Sequence, residues 1–219
     1  MSSPTTPAPT EPVVLALRVA ILVFDDVEVL DFAGPYEVFT TATRIHHRMT
    51  GIAAPAQSDL FAVQAVARDA RPVRARAGLQ VLPDTTFAAC PAVDVLIVPG
   101  GVVDAALQCE ATRQWIARQA AASRITASVC TGAFLLAASG VLRNERVTTH
   151  WEDLDDLRRA FPLLDVTDTV RWVDHGRLIT SAGISAGMDM SLHLVARLAG
   201  ESVALRTARK MDYAWNRHA

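Results

Sequence analysis

Cys130 is the residue of this sequence best placed to act as a nucleophile. It stands between an apolar, β-type run over Arg124–Val129 and a helical run over Ala133–Ser139, in the segment SVCTG. A strand-to-helix turn holds a side chain at the carboxyl edge of a sheet, and the first N–H groups of the helix favour a thiolate. The segment is similar to a nucleophile elbow with cysteine in place of serine and without the first glycine. Cysteine is also often a buried, inert hydrophobe, so both interpretations stay open.

Asp31 is a candidate acid near the end of another apolar run. Its neighbours in the segment VLDF are apolar, and burial there would raise its pKa until it could exchange a proton near neutrality. A helix cap is the alternative, because Asp31 lies three residues before Gly34-Pro35, and spacing alone slightly favours this structural role. Asp26 and Glu28 are further acids of the same loop, which we expect to be solvated.

Gly100, Gly101 and His150 also follow predicted strands. The two glycines would let the backbone approach a ligand closely, and their N–H groups could cradle an anion opposite the thiol, although most such pairs are only turns. His150 is either an acid-base group or, as we favour, a structural residue. The histidines lack the spacing of a metal site and no GxGxxG motif occurs, so we expect no metal and no nucleotide cofactor.

Composition indicates a globular α/β protein. The chain has 219 residues, of which 51% are hydrophobic, and a formal net charge of -2, which gives no sign of a nucleic-acid or anionic-membrane surface. We expect a disordered Pro/Thr-rich tail over residues 1–14 and a single domain over residues 15–219. No apolar run reaches transmembrane length, and three cysteines without a CxxC pair are typical of a reducing compartment. A cytoplasmic protein is therefore predicted.

Alternating strands and helices would position these candidate residues. Such alternation predicts a mostly parallel sheet with helices on both faces, where ligands bind beyond the carboxyl ends of the strands. The turns at Asp25–Asp31, Pro99–Gly101 and Cys130–Gly132 should meet at that edge. The main predicted strands are Leu15–Phe24, Phe61–Ala67, Val93–Val98 and Arg124–Val129, with hairpins over Val73–Leu82 and Val170–Ser181, and the main predicted helices are Gly34–Arg44, Val103–Ala121, Ile184–Leu198 and Ser202–Trp215.

The sequence resembles the ThiJ/PfpI superfamily over about Arg18–Gly200. The matching segments are VAILVFDDVEVLDFAGPYEVF, DVLIVPGG, SVCTGAFLLAASGVL, VTTHW and SAGISAGMDMSLHL. The resemblance implies a flavodoxin-like three-layer α/β sandwich with a core like that of class I glutamine amidotransferases. Within the superfamily, the segments are most similar to those of isonitrile hydratases and of the ligand-binding half of AraC-type regulators. Members are typically homodimers with the site close to the subunit contact.

The resemblance also implies roles for individual residues. Cys130 would be the nucleophile, Asp31 the essential acid, and Thr131 a residue beside the nucleophile that helps the site. The protease and amidase branch has histidine directly after its nucleophile, whereas Thr131 stands here, so peptidase activity is doubtful. The residues expected to contact substrate are Gly100, Gly101 (whose backbone would face the cysteine), His150 and Ile184.

Three functions fit these features. The preferred hypothesis is hydration of a small apolar isonitrile to an N-substituted formamide without a cofactor, in an apolar pocket for which Phe32, Trp151 and Ile184 are candidate linings. Cys130 would attack the isonitrile carbon and Asp31 would protonate it. The second is a metabolite-binding module without catalysis, although the chain stops at Ala219, before the DNA-reading half of such regulators. The third is another thiol activity, such as amide hydrolysis, glyoxalase-type chemistry or redox sensing.

Overall fold

A seven-stranded sheet forms the centre of the structure, a computed structural model that describes residues 16–51 and 59–218. The strands, in chain order, are β1 (Leu17–Leu22), β2 (Phe61–Ala67), β3 (Val73–Arg74), β4 (Gln80–Val81), β5 (Thr85–Thr86), β6 (Val95–Val98), β7 (Ile125–Val129), β8 (Arg146–Val147), β9 (Asp165–Val166), β10 (Trp172–His175) and β11 (Leu178–Ser181). The large sheet has the order β10-β11-β7-β6-β1-β2-β5. All its neighbouring pairs are parallel except β10–β11. The predicted mostly parallel sheet is confirmed.

Helices cover both faces of this sheet. They are α1 (Val29–Thr50), α2 (Asp104–Gln108), α3 (Glu110–Ala122), α4 (Gly132–Ala138), α5 (Leu154–Ala160), α6 (Ala186–Ala199) and α7 (Glu201–Lys210). Successive side chains of β1 point to opposite faces, so Ile21 lies in one core with α1, α6 and α7, and Leu22 lies in a second core with α3, α4 and α5. The two cores on either side of one sheet make a three-layer sandwich.

Three predicted helices have different boundaries in the structure. Helix α1 begins five residues before Gly34, because the Glu28 side chain caps it and Pro35 is accommodated inside it, and it ends at Thr50 rather than at Arg44. The single helix predicted over Val103–Ala121 is two helices, interrupted at Cys109, whose backbone is extended. The last helix ends at Lys210 rather than at Trp215.

The remaining predicted elements lie close to their expected places. The hairpin over Val73–Leu82 forms from β3 and β4, and the hairpin at the sheet edge forms from β10 and β11. The predicted tail over residues 1–14 lies outside the described residues. Among the helices of residues 16–51 and 59–218, we find no candidate for a membrane span.

The parallel strands β1, β6 and β7 are neighbours in the sheet. Because they run in the same direction, the loops that follow them lie at one edge. Val27, after β1, forms a β-bridge with Gly101, after β6, and Gly101 in turn is hydrogen-bonded to Thr131, after β7. The predicted convergence of the three turns is therefore confirmed.

Candidate active site

Cys130 lies at the sharp turn between β7 and α4. Its φ of 57° is in the left-handed region, which costs a non-glycine residue of the order of 1 kcal/mol and is typical of a nucleophile elbow. Two hydrogen bonds hold this backbone: the Thr149 hydroxyl donates to the Cys130 carbonyl over 2.8 Å, and the Cys130 N–H donates to the Ser181 carbonyl over 3.1 Å. The elbow is thus fixed by neighbouring elements, with the thiol largely buried.

Gly132 allows the elbow to pack closely against β6. A Cβ atom at Gly132 would lie only 2.0 Å from the carbonyl oxygen of Val98, a distance that no side chain can adopt. The glycine that ends the SVCTG segment therefore lets α4 start directly above the end of β6. This contact places Cys130 beside the loop that carries Gly100.

Asp31 is completely buried in the first turn of α1. Its Oδ2 atom accepts a hydrogen bond from the Gly100 N–H over 3.1 Å, whereas its Oδ1 atom is buried and has no hydrogen-bond partner among the described residues. Glu28, whose Oε1 atom accepts from the Val29 N–H over 3.2 Å, is the residue that caps the helix. The structural alternative, in which Asp31 was the cap, is wrong, and so is the expectation that Glu28 is simply solvated.

Cys130 and Asp31 interact with each other electrostatically. Burial raises the pKa of Asp31 to about 7, although the hydrogen bond from the Gly100 N–H and the nearby Cys130 thiol act in the opposite direction. Burial and then the charge of Asp31 raise the pKa of Cys130 to about 12. The Thr131 N–H, at the start of α4, lowers the Cys130 pKa as a helix terminus should, but it does not overcome these effects. At neutral pH the sulfur keeps its proton next to a carboxyl group that is close to half ionised.

The backbone N–H groups of Gly100 and Gly101 already have partners. Gly100 donates to Asp31, and Gly101 donates to Thr131 Oγ1 over 2.9 Å, while the Thr131 hydroxyl donates back to the Gly101 carbonyl over 2.9 Å. The glycine pair therefore positions an acid and a hydroxyl, and the expected anion cradle is not preformed. Gly100 lies against the nucleophile, since a Cβ atom there would be 3.0 Å from Cys130 Cβ.

His150 and Ile184 close the site on the side of β11. The His150 ring packs on Gly183, where an added Cβ would lie 2.0 Å from Cδ2, and its Nδ1 atom accepts from the Glu152 N–H over 3.4 Å. This contact caps a short 3-10 helix over Trp151–Asp153. Ile184 has a φ of 51°, which is rare for a β-branched residue, and its N–H is among the groups that lower the Asp31 pKa.

A cavity of about 440 Å³ opens beside the Cys130 thiol. Asp31 is not part of its wall, and the carboxyl adjoins the site through the Cys130 thiol, which lines the cavity. The predicted apolar lining is only partly right: Ile184 lines the cavity, but Phe32 is buried in the core and Trp151 is 72% exposed elsewhere on the surface. Further residues line the cavity that were not predicted from the sequence. Four of them are acidic: Asp104, Glu152, Asp153 and Asp156. Four others are apolar: Val102, Val103, Leu107 and Phe134.

This arrangement can deliver a thiol and a proton to one small molecule. A substrate carbon next to Cys130 would meet the sulfur and, immediately behind it, a carboxyl group able to take or give a proton at neutral pH. Within residues 16–51 and 59–218, no cluster of three or more His, Cys, Asp or Glu side chains has the arrangement of a metal site.

The structure is a flavodoxin-like α/β sandwich with a cysteine in the sharp turn after a central parallel strand. This combination of fold and site defines the class of protein. The chain belongs to the DJ-1/PfpI family, whose model matches residues 17–197. Among solved structures it is similar to a ThiJ/PfpI family protein from Pseudomonas syringae, with a TM-score of 0.78 and 28% identity over 97% of this chain and 84% of that one. The resemblance inferred from the sequence is confirmed.

The relatives of this chain include two kinds of protein, an enzyme and a transcriptional regulator. The chain is 37% identical to an isonitrile hydratase of Pseudomonas putida over 91% of this chain and 80% of that protein. It is 31% identical to the HTH-type transcriptional regulator GbdR of Pseudomonas aeruginosa over 89% of this chain, a match that spans half the length of the regulator. The family therefore includes an enzyme and DNA-binding regulators.

Proposed function

We propose that the protein is an isonitrile hydratase, a cysteine-dependent lyase that adds water to an isonitrile to give an N-substituted formamide. The observation that carries the proposal is the closeness of the buried Asp31 carboxyl to the Cys130 thiol, which lines a cavity. The identity to the Pseudomonas putida enzyme supports the choice of substrate. No cofactor is needed, because the two side chains supply a nucleophile and a proton carrier.

The first step forms a thioimidate. The terminal isonitrile carbon is attacked by sulfur and must gain a hydrogen, so the S–H proton passes through the Asp31 carboxylate to that carbon while the S–C bond forms. The Cys130 pKa of about 12 and the Asp31 pKa of about 7 suit this route, since the carboxylate is present at neutral pH and the thiol still carries the proton to be moved.

The second step hydrolyses the thioimidate. Asp31 takes a proton from water as the oxygen adds to the same carbon, and it returns the proton to the nitrogen. The tetrahedral centre then loses the Cys130 sulfur, which takes the hydroxyl proton, and the formamide leaves. One water molecule is consumed and both side chains regain their starting protonation, so the cycle is balanced.

Thr131, Gly100 and Gly101 are positioning residues in this proposal. Thr131 and the two glycines join the loop after β6 to the elbow, and Gly100 orients the carboxyl that moves the proton. His150 and Ile184 form the opposite wall and contact the substrate.

The proposal is tested by measuring formamide production from cyclohexyl isocyanide. We expect the wild type to turn over, and Cys130→Ala and Asp31→Asn to lose at least about a hundredfold in kcat/KM, the size of a general acid-base contribution. Cys109→Ala and Asp155→Asn are matched controls outside the cavity and should keep wild-type rates. Folding of each variant is checked by circular dichroism. Wild-type turnover by folded Cys130→Ala or Asp31→Asn would refute the role of that residue.

A metabolite-binding module is the second candidate, favoured by the 31% identity to the regulator GbdR. Under this alternative, Cys130 would stay protonated and only contact a ligand, in keeping with the raised pKa of its thiol. Tight binding of an isonitrile without any formamide product from the wild type would support this alternative and overturn the first.

A further inference from the structure

The cavity beside Cys130 has a strongly acidic wall. Its lining contains five carboxylates and one guanidinium, so its formal charge is -4: Glu28, Asp104, Glu152, Asp153, Asp156 and Arg76. Arg76 pairs with Glu28 over 3.1 Å, and Arg159 pairs with Asp156 from outside the lining, which still leaves a formal charge of -3. A protein with a net charge of only -2 thus concentrates negative charge at one cavity.

His150 is the nearest possible partner of Glu152 and Asp153, and it does not neutralise both of them. His150 Nδ1 lies 3.4 Å from Asp153 and 3.7 Å from Glu152, and it also accepts the Glu152 N–H. The charge of Asp153 reaches the reacting group, because it is among the causes that raise the Cys130 pKa. The wall therefore acts on whatever lies next to the thiol.

A second observation concerns the carboxyl group next to the thiol. Asp31 is completely buried, yet its Oδ1 atom has no hydrogen-bond partner among the described residues. A buried oxygen of this kind is costly unless something satisfies it during function. Asp31 lies beside the Cys130 thiol, and the thiol and the acidic residues line the same cavity, so one molecule can reach both.

We propose that the preferred substrate is an isonitrile whose organic substituent carries a fixed positive charge, such as a quaternary ammonium group, with the isonitrile carbon at Cys130 and the cation at the acidic wall. The inference rests on the proposed function. An isonitrile group is neutral and cannot offset the wall, so the substituent must do so. Val102, Leu107 and Phe134 line the same cavity and provide apolar surface for the carbon skeleton of the substrate.

The experiment compares three cyclohexyl-sized isonitriles: neutral cyclohexyl isocyanide, N,N-dimethyl-4-isocyanopiperidinium and 4-isocyanocyclohexanecarboxylate. We expect kcat/KM for the cation to exceed that for the neutral compound by about tenfold, and the anion to be the poorest substrate, since each partly exposed carboxylate contributes a few-fold. The preference should weaken with added salt, because ions screen exposed charges.

The double variant Glu152→Gln/Asp156→Asn should bring the cation-to-neutral ratio close to one. Asp155→Asn/Glu201→Gln removes the same number of charges outside the cavity and should leave the ratio unchanged. Equal kcat/KM for all three compounds in a wild type that turns over cyclohexyl isocyanide would overturn the inference and leave the proposed function standing.

A binding measurement tests the charge preference independently of the proposed reaction. Calorimetry on Cys130→Ala with the three corresponding formamides measures charge preference without any reaction. Tighter binding of the cationic formamide supports the inference even where the proposed function fails. Equal binding of all three formamides overturns it.

Discussion

At the scale of single residues, the chemistry of the site depends on how protons are distributed between the Cys130 thiol and the Asp31 carboxyl. Burial sets both pKa values, and it makes Asp31, rather than Cys130, the group that titrates near neutrality. The sequence indicated both residues and the direction of the Asp31 shift, because apolar neighbours in VLDF predict burial. The rise of the Cys130 pKa could not be predicted, because the burial of the thiol and the nearness of the Asp31 carboxyl are properties of the tertiary structure alone.

The Asp31 shift predicts a pH-dependent stability. The carboxyl titrates at about 7 when folded and near 3.8 when unfolded, so the folded state holds more protons between these values and the wild type loses stability as the pH rises from about 4 to about 7. Asparagine does not titrate. We expect the stability of Asp31→Asn relative to wild type to increase by about 2 to 3 kcal/mol between pH 5 and pH 8.

Thermal or urea unfolding at the two pH values measures this change. The exposed Asp165→Asn is the control, and its stability relative to wild type should stay constant. A difference between Asp31→Asn and wild type that is the same at pH 5 and pH 8 would show that the Asp31 carboxyl does not titrate abnormally.

At the scale of elements, the loop before α6 is held in a strained conformation at the cavity. Ile184 has a φ of 51°, and it is both a wall of the cavity and a neighbour of the Asp31 carboxyl. Glycine adopts such a backbone without strain. Ile184→Gly should therefore raise stability by up to about 1 kcal/mol while raising KM several-fold, because the wall is lost.

The matched control is Asp212→Gly, which also has a φ of 51° and lies outside the cavity. It should keep KM unchanged, with a smaller gain in stability because aspartate tolerates this conformation better than isoleucine. Melting temperatures and steady-state kinetics on cyclohexyl isocyanide provide both readings. An unchanged KM in Ile184→Gly would remove Ile184 from the substrate site.

Element positions could be predicted from the sequence better than element ends. The apolar runs of β1, β6 and β7 stand out, and the glycines after β6 and β7 mark the turns there. The start of α1 was missed because a glutamate cap followed by a proline inside the helix departs from the usual signals. The acidic wall was visible as WEDLDD directly after His150, but only the packing of the segment beside the elbow places it at the cavity.

At the scale of the whole molecule, the parallel sheet explains how distant segments meet. Asp31 and Cys130 are 99 residues apart in the sequence and come together because β1, β6 and β7 are adjacent and end at one edge. The alternation of strands and helices predicts this edge, whereas the shape and charge of the cavity depend on how α4, α5 and the loop before α6 pack. The homodimer implied by the resemblance stays a prediction.

The covalent step is the central claim, and peptide mass spectrometry during turnover tests it most directly. Wild-type protein is mixed with cyclohexyl isocyanide, quenched in acid at a series of short times and digested at low pH without a thiol reductant. We predict a peptide carrying Cys130 that is heavier by one isonitrile molecule, or by the formyl group that acid hydrolysis of the thioimidate leaves on the sulfur, with Cys90 and Cys109 unmodified. An adduct only on Cys90 or Cys109, or formamide accumulating while Cys130 stays unmodified at every time point, would contradict the account.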